Sequence, residues 1–306
     1  MTLASPSRTS MYSAYLRLMR LHQRTGIWLL LWPCWWSIAM ARAHAFFTWE
    51  TAKLLLLFAL GAVIMRSAGC VVNDIWDRNL DPHVERTRLR PLASGELNVR
   101  QALMLLGVLL SAGLVILLSL NLLTIVVGIC FAALVVLYPL MKRIMPVPQV
   151  FLGLTFNAGA LMGYSAATGD ISAAAWVLYG ACFFWTLGYD TVYAHQDARD
   201  DAKIGIRSAA LTFAQHSRIH ITLYYLLATG GWLLAGVLTA QPWPYATAVG
   251  LTGAYLTGHT LRLDLEDTER CHRGFAQHAL LGWVPFVGLV LSALYLRHSC
   301  SFLYLC

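Results

Sequence analysis

AKLLLLFALGAVIMRSAGCVVNDIWDRNLD (Ala52–Asp81) decides the fold, because an apolar run over residues 52–73 passes directly into three aspartates. Such a run is long enough to cross about 30 Å of hydrocarbon as a helix. A charged residue at a bilayer centre costs about 2.5–3.5 kcal/mol, so acids this close to lipid need partners and mark function. At helical spacing Asp74, Asp77 and Asp81 share one face. The pattern recurs where the apolar run over 172–193 leads into DTVYAHQDARDD (Asp190–Asp201), with Asp190, Tyr193, Asp197 and Asp201 on one face. Two carboxylate stripes without matching lysines on the same helices ask for a divalent cation that carries an anionic ligand.

The rest of the chain agrees with a membrane setting. It is 58% hydrophobic and 12% charged, with 11 Trp, which reads as an all-α polytopic membrane protein and not as a soluble one. Nine apolar stretches are expected to span, at 26–47, 52–73, 101–119, 121–140, 148–167, 172–193, 219–238, 243–261 and 278–296. The expected fold is a bundle of nine transmembrane helices over residues 26–296, preceded by an amino-terminal segment (1–25) and followed by a short outer tail (297–306). Asp77 and Asp197 are separated by 120 residues, as are Asp81 and Asp201, which suggests two four-helix pseudo-repeats plus a ninth helix.

Basic residues set the orientation. Of 22 Lys and Arg, 18 lie before the first span or in the even-numbered connections, and only Arg42, Lys53 and Arg297 fall on the other side. By the positive-inside rule the amino terminus and both acid clusters are cytoplasmic, and the expected location is a bacterial inner membrane. Spread over five segments, these charges speak for topology and lipid contact and against nucleic-acid binding. Residues 8–24, the following apolar run and Ala41-Arg42-Ala43 resemble a cleavable signal peptide, but the run is Trp-rich and holds Pro33, so it is expected to stay as the first span. The 7 cysteines form no CxxC pair and read as buried free thiols.

Each acid cluster is followed by a basic, turn-rich loop, HVERTRLRPLASGEL after the first and DDAKIGIRS after the second. Carboxylates suit Mg²⁺, which takes one or two of them plus substrate phosphates, while Arg and Lys neutralise the remaining phosphate oxygens. No Gly-rich phosphate loop, HExxH or nucleophile elbow is present in the sequence.

NDIWDRNLD fits the N-D-x-x-D-x-x-x-D signature of UbiA-type intramembrane prenyltransferases, and Asp190, Tyr193, Ala194, Asp197 and Asp201 fit that family's second signature. Further matches lie at RLMR (17–20), MRSAGCVVND (65–74), VERTRLRPLASG (84–95), YPLMKR (138–143) and PQVFLG (148–153). The chain therefore resembles this family over roughly residues 15–285, nearest its 4-hydroxybenzoate polyprenyltransferase branch. The resemblance implies a cavity open to the cytoplasm and to lipid, with Mg²⁺ on the two motifs holding the diphosphate of a polyprenyl donor. It implies transfer of the chain to the ring carbon ortho to the hydroxyl of 4-hydroxybenzoate, a step of ubiquinone biosynthesis. Asn73, Asp74, Asp77 and Asp81 are then expected on one metal–diphosphate cluster and Asp190, Asp197 and Asp201 on the other. Asp74 and Asp197 count among the catalytic groups, and Asp190, deepest of all, orients the acceptor or steadies a cation. Arg88, Arg90, Lys142, Arg143 and Lys203 are diphosphate candidates, with Tyr193 beside them. Arg20 and Arg66 contact either the acceptor carboxylate or the diphosphate. FNAGALMGY (156–164) and Gln277-His278-Ala279 depart from the family pattern and bear on acceptor preference.

Plainer readings compete at several positions. Arg17, Arg20 and Arg24 could contact lipid headgroups, and Arg66 could snorkel. Asp264, Glu266, Asp267 and Glu269 read as a solvated loop. A transporter would place its acids near the bilayer midplane, whereas these sit at one face with basic loops behind them. Within the enzyme class, naphthoate and homogentisate are the alternative acceptors, and no protein partner is expected.

Overall fold

The computed structural model describes residues 8–83, 87–204 and 208–303, without the side chains of 8–10, 136, 138–143, 199–204 and 300–303. Every regular element among the described residues is helical. In chain order the first are α1 (Arg8–Leu18), α2 (Thr25–Ala41), α3 (Trp49–Trp76), α4 (Val99–Leu118), α5 (Leu122–Ile144), α6 (Gln149–Phe156) and α7 (Ala158–Thr168). They continue with α8 (Ala173–Ile204), α9 (Ala209–Phe213), α10 (Ser217–Leu238), α11 (Trp243–Arg262), α12 (Thr268–Leu281) and α13 (Trp283–Leu303).

Each expected apolar stretch meets helix, but not always one helix. Among the described residues, five segments are long and apolar enough to cross a membrane (49–76, 99–118, 149–168, 209–238 and 268–299), and shorter apolar helix covers 25–41 and 122–135. The expected fifth span is broken at Asn157, between α6 and α7. The expected ninth is broken at Gly282, between α12 and α13. Freed carbonyls at the second break are taken by indoles from α2: Trp32 Nε1 donates to the Ala279 carbonyl at 2.9 Å and Trp36 Nε1 to that of Gly282 at 3.0 Å. A buried break is tolerable only when such groups find donors.

The chain divides into two compact units, one of residues 1–27 and 60–119, the other of 28–59 and 120–306. This division does not follow the expected four-helix repeats. The first half of α3 belongs with α2, where Trp35 Nε1 donates to the Leu55 carbonyl at 3.0 Å. The first unit is built on Leu18 of α1, Val71 of α3, and Leu97 and Ala102 around the start of α4, all buried. A capping box fixes that start: Gln101 N–H donates to Asn98 Oδ1 and Asn98 N–H to Gln101 Oε1, both at 2.9 Å. Beyond it α4 exposes Val108, Val115 and Leu118, as a lipid-facing helix does.

The second unit has an aromatic core in which Trp32, Trp36, Trp185 and Trp232 are all but fully buried. Helix α7 lies close against α2 because Gly159 and Gly163 face it. A Cβ on Gly159 would sit 2.3 Å from Cys34 Sγ, and one on Gly163 2.6 Å from the Cys34 carbonyl. The thiols of Cys34, Cys70, Cys182 and Cys271 are buried and free, as expected, whereas Cys130 is exposed.

Candidate functional site

The first acid motif belongs to the first unit. It does not form one continuous helical face: α3 ends at Trp76, Asp77 follows in a bend, and Asp81 opens a short 3₁₀ turn, Asp81–His83. Pro82, with no N–H to offer the carbonyl of Arg78, keeps the helix from resuming beyond the bend. The chain then folds back. Thr87 Oγ1 donates to the Asp81 carbonyl at 2.9 Å, and the Arg90 N–H donates to the Thr87 carbonyl at 2.9 Å. Gly95, at φ 75°, supplies the left-handed residue that turns the loop toward α4.

This path returns Arg90 to the acids. Its Nη1 donates to Asp81 at 3.0 and 2.8 Å and to Asp74 Oδ1 at 3.3 Å. Arg20 comes from the other side and donates through Nη2 to the same Asp74 oxygen. Asp74 is 1% exposed, a burial that an ionised carboxylate tolerates only with such partners. Asn73 and Asp77 pair with each other, Nδ2 to Oδ2 at 3.0 Å. Arg88 is exposed on the returning turn.

Arg20 holds its place through an unusual backbone. Its φ is 51°, in the left-handed region, and it sits just past α1. The Arg20 N–H donates to the Arg17 carbonyl at 3.0 Å and the Leu21 N–H to that of Leu16 at 3.3 Å, the pattern of a Schellman cap. Glycine normally fills that position, and an L-residue there costs roughly 1–2 kcal/mol. Arg17, from the same turn, pairs with Glu96 and ties α1 to the loop before α4.

Arg66 stands apart from these four. Its Nη1 donates to Cys70 Sγ at 2.6 Å, and its buried Nε has no partner among the described residues. That nitrogen packs on Gly26, where a Cβ would lie 2.2 Å away.

The second motif belongs to the second unit and lies on α8, a single helix of 32 residues. At 1.5 Å per residue that is about 48 Å, longer than the about 30 Å of hydrocarbon. Asp190, Tyr193 and Asp197 share a face as expected, half-buried. The Tyr193 ring packs on Phe275 of α12 at 4.6 Å, and Gln196 Oε1 meets His272 Nδ1 at 3.2 Å. The side chains of Asp201, Lys203, Lys142 and Arg143 lie outside the described residues. Among the described residues no three His, Cys, Asp or Glu side chains come together as a metal-holding group.

Sequence reading missed a buried polar chain beside this motif. Asn157, at the α6–α7 break, donates through Nδ2 to Thr186 Oγ1 at 2.8 Å, and Thr186 donates to the Tyr189 hydroxyl at 3.1 Å. Nearby, His278 Nδ1 meets the Gly274 carbonyl at 2.9 Å, which puts its proton there. Its Nε2 therefore accepts from the Tyr225 hydroxyl at 2.8 Å. The only signal was that FNAGALMGY and Gln277-His278-Ala279 had each looked out of pattern.

Apolar helices in two compact units, with acids and arginines gathered at the end of α3 and acids along the end of α8, define an all-helical, multi-pass membrane protein. The model of the UbiA prenyltransferase family matches residues 30–283, and the chain belongs to that family. It is 44% identical over 93% of its length to the mitochondrial 4-hydroxybenzoate polyprenyltransferase of Aedes aegypti, and spans 64% of that protein. To the Caenorhabditis elegans protein of the same name it is 45% identical over 92% of its length and 78% of the relative's. A UbiA homolog from Archaeoglobus fulgidus, solved bound to GPP and Mg²⁺, superposes with a TM-score of 0.68 at 17% identity, over 90% of this chain and 99% of that one. That likeness establishes the fold. Both relatives are mitochondrial by name, which does not bear out the expected bacterial inner membrane. Charge asymmetry reports which side a loop occupies and not which membrane holds it.

Proposed function

We propose that this protein transfers a polyprenyl chain from its diphosphate to the ring carbon ortho to the hydroxyl of 4-hydroxybenzoate. The carbon–oxygen bond of the donor breaks, diphosphate leaves, a carbon–carbon bond forms at the ring, and that ring carbon releases its proton. The observation that carries the reading is the gathering of Arg20, Arg90, Asp74 and Asp81 at the end of α3, in a chain 44–45% identical to relatives named for this reaction.

Arg90 uses only Nη1 on the two carboxylates, so Nε and Nη2 have no partner among the described residues and can take diphosphate oxygens. Arg20 serves beside it, with Arg88, Lys142, Arg143 and Lys203 as further phosphate contacts. The donor set fits Mg²⁺: Asp77 and Asn73 offer hard oxygens, and no described ion pair engages Asp77. Asp74, Asp81, Asp197 and Asp201 complete the two acidic sets. When bound, Mg²⁺ neutralises charge on the departing diphosphate. Asp190, deeper on α8, orients the acceptor or steadies the developing allylic cation, Tyr193 lies beside the diphosphate contacts, and apolar walls exclude water. Arg66, with Arg20, contacts either the acceptor carboxylate or the diphosphate.

This reading goes with nine spans over residues 26–296, an amino terminus on the same side as both motifs, and a tail on the other. Membranes holding the protein, given Mg²⁺, geranyl diphosphate and radiolabelled 4-hydroxybenzoate, should yield a lipid-soluble 3-prenyl product. Product with another aromatic acid but none with this one would overturn the acceptor. Full activity in Asp77→Ala and Asp197→Ala would overturn the metal sites.

A further inference from the structure

Away from the acid motifs, the facing ends of α11 and α12 enclose a cavity of about 380 Å³. Its wall carries Arg262, Arg270 and Arg273 together with His259 and Gln277, and no carboxylate lines it. Two acids of the same connection pair with arginines of this wall. Asp267 caps α12 by accepting from the Glu269 and Arg270 N–H groups, both at 3.0 Å. It also meets Arg270 at 3.0 Å, and Glu269 meets Arg273 at 3.6 Å, both in exposed pairs that a stronger anion displaces at small cost. Arg262 has no ion pair among the described residues.

Two neutral groups add capacity. His259 stacks flat on Tyr255, with ring centroids 5.7 Å apart, and its buried Nε2 has no partner among the described residues. The Tyr255 hydroxyl donates to Gln277 Oε1 at 2.7 Å, which fixes that amide. Arg218, held on the Leu263 carbonyl at 2.9 Å, brings a fourth positive charge beside the wall. Gly274 keeps the floor open, since a Cβ there would lie 3.3 Å from His259 Nε2. On the same two helices, Leu261 and Leu280 are 57% and 71% exposed, apolar surface of the kind that acyl chains cover.

We propose that this cavity binds a phosphate group, carried by the headgroup of an anionic phospholipid or by a free phosphate anion. Three arginines lining one cavity match phosphate by charge and by fork geometry. Basic pockets between membrane helices at the more basic face are where anionic headgroups reside. The exposed leucines on these helices favour the lipid. Helix α12 also touches the second acid motif through Phe275 and His272, so an occupant of the cavity steadies the helix that backs Tyr193.

The full chain in a neutral detergent, titrated separately with short-chain phosphatidic acid and inorganic phosphate, tests this. Saturable binding of phosphatidic acid is expected, weakened about tenfold by Arg262→Gln and again by Arg273→Gln, the loss of one charge-assisted hydrogen bond each. Arg273→Lys should keep most of the affinity, which separates lost charge from lost folding. Binding of the lipid alone assigns a headgroup site, and binding of both probes assigns phosphate as such. Binding of neither, or binding in both Gln variants as tight as in the unsubstituted protein, overturns the proposal. So does undiminished binding in Gly274→Val, which closes the floor.

Discussion

Arg90 holds Asp81 by both carboxylate oxygens, at 3.0 and 2.8 Å from a single guanidinium nitrogen, which also reaches Asp74 at 3.3 Å. The two acids lie on different elements, one on the last turn of α3 and one on the 3₁₀ turn beyond it. A residue from the returning loop thus joins what the helix end separates. Arg20 completes the group from the far side of the first unit, so the order of this site depends on arginine as much as on aspartate.

Removing Arg90 should therefore cost stability as well as turnover. Arg90→Met leaves the buried Asp74 with Arg20 alone and Asp81 with no described cation. A loss of about 1–3 kcal/mol is expected, below the figure for a fully buried pair because Arg90 is partly exposed. Thermal melting in detergent reads it. Arg90→Lys restores the charge without the fork and should recover only part of the loss.

Arg20 separates backbone strain from charge. Both Arg20→Ala and Arg20→Gly remove the ion pair with Asp74, but only glycine is at ease at φ 51°. The Gly variant should melt higher than the Ala variant, by roughly 1 kcal/mol. Both should lose prenyl transfer to the same extent. Equal melting would mean that the left-handed backbone is not retained in solution.

The helical, membrane-spanning character and both acid motifs were legible because they are local: apolar runs, and acids three and four residues apart. Other features depended on long-range geometry. That Arg90 and not Arg88 turns back on Asp74 follows from the Thr87 and Gly95 turns, which no periodicity announces. The break at Asn157 lies inside an apolar stretch whose one proline, Pro148, stands at its start, and its side-chain N–H group finds Thr186, 29 residues on. The basic cavity was hidden because Arg262, Arg270 and Arg273 are mixed in sequence with four acids, two of which pair with them.

Asp267 gives a pH dependence with a definite sign. The Arg270 and Glu269 N–H groups it caps lower its pKa from the ordinary 3.8, with the nearby arginines helping and residual desolvation opposing. A carboxyl depressed in the fold stabilises fully above its ordinary value and loses that contribution as the pH falls through the folded one. The stability of α12 should therefore decline below about pH 4. Asp267→Asn keeps a capping oxygen but cannot titrate, so its melting temperature should change less over that range.

Two glycine-to-alanine changes in helices should give opposite results. At Gly163 of α7 a Cβ would meet Ser37 Oγ at 2.2 Å and the Cys34 backbone carbonyl at 2.6 Å. The serine can turn away, but the carbonyl belongs to α2 and moves only with that helix. Gly163→Ala should thus push α2 and α7 apart and destabilise by about 1–3 kcal/mol. At Gly230 of α10 nothing lies within 4 Å of the same position. Gly230→Ala should be neutral or stabilising by up to about 1 kcal/mol, because alanine loses less conformational freedom in a helix. Melting of the two variants side by side in one detergent is the check. A loss at Gly230 as large as at Gly163 would mean that helix–helix contact is not what Gly163 protects.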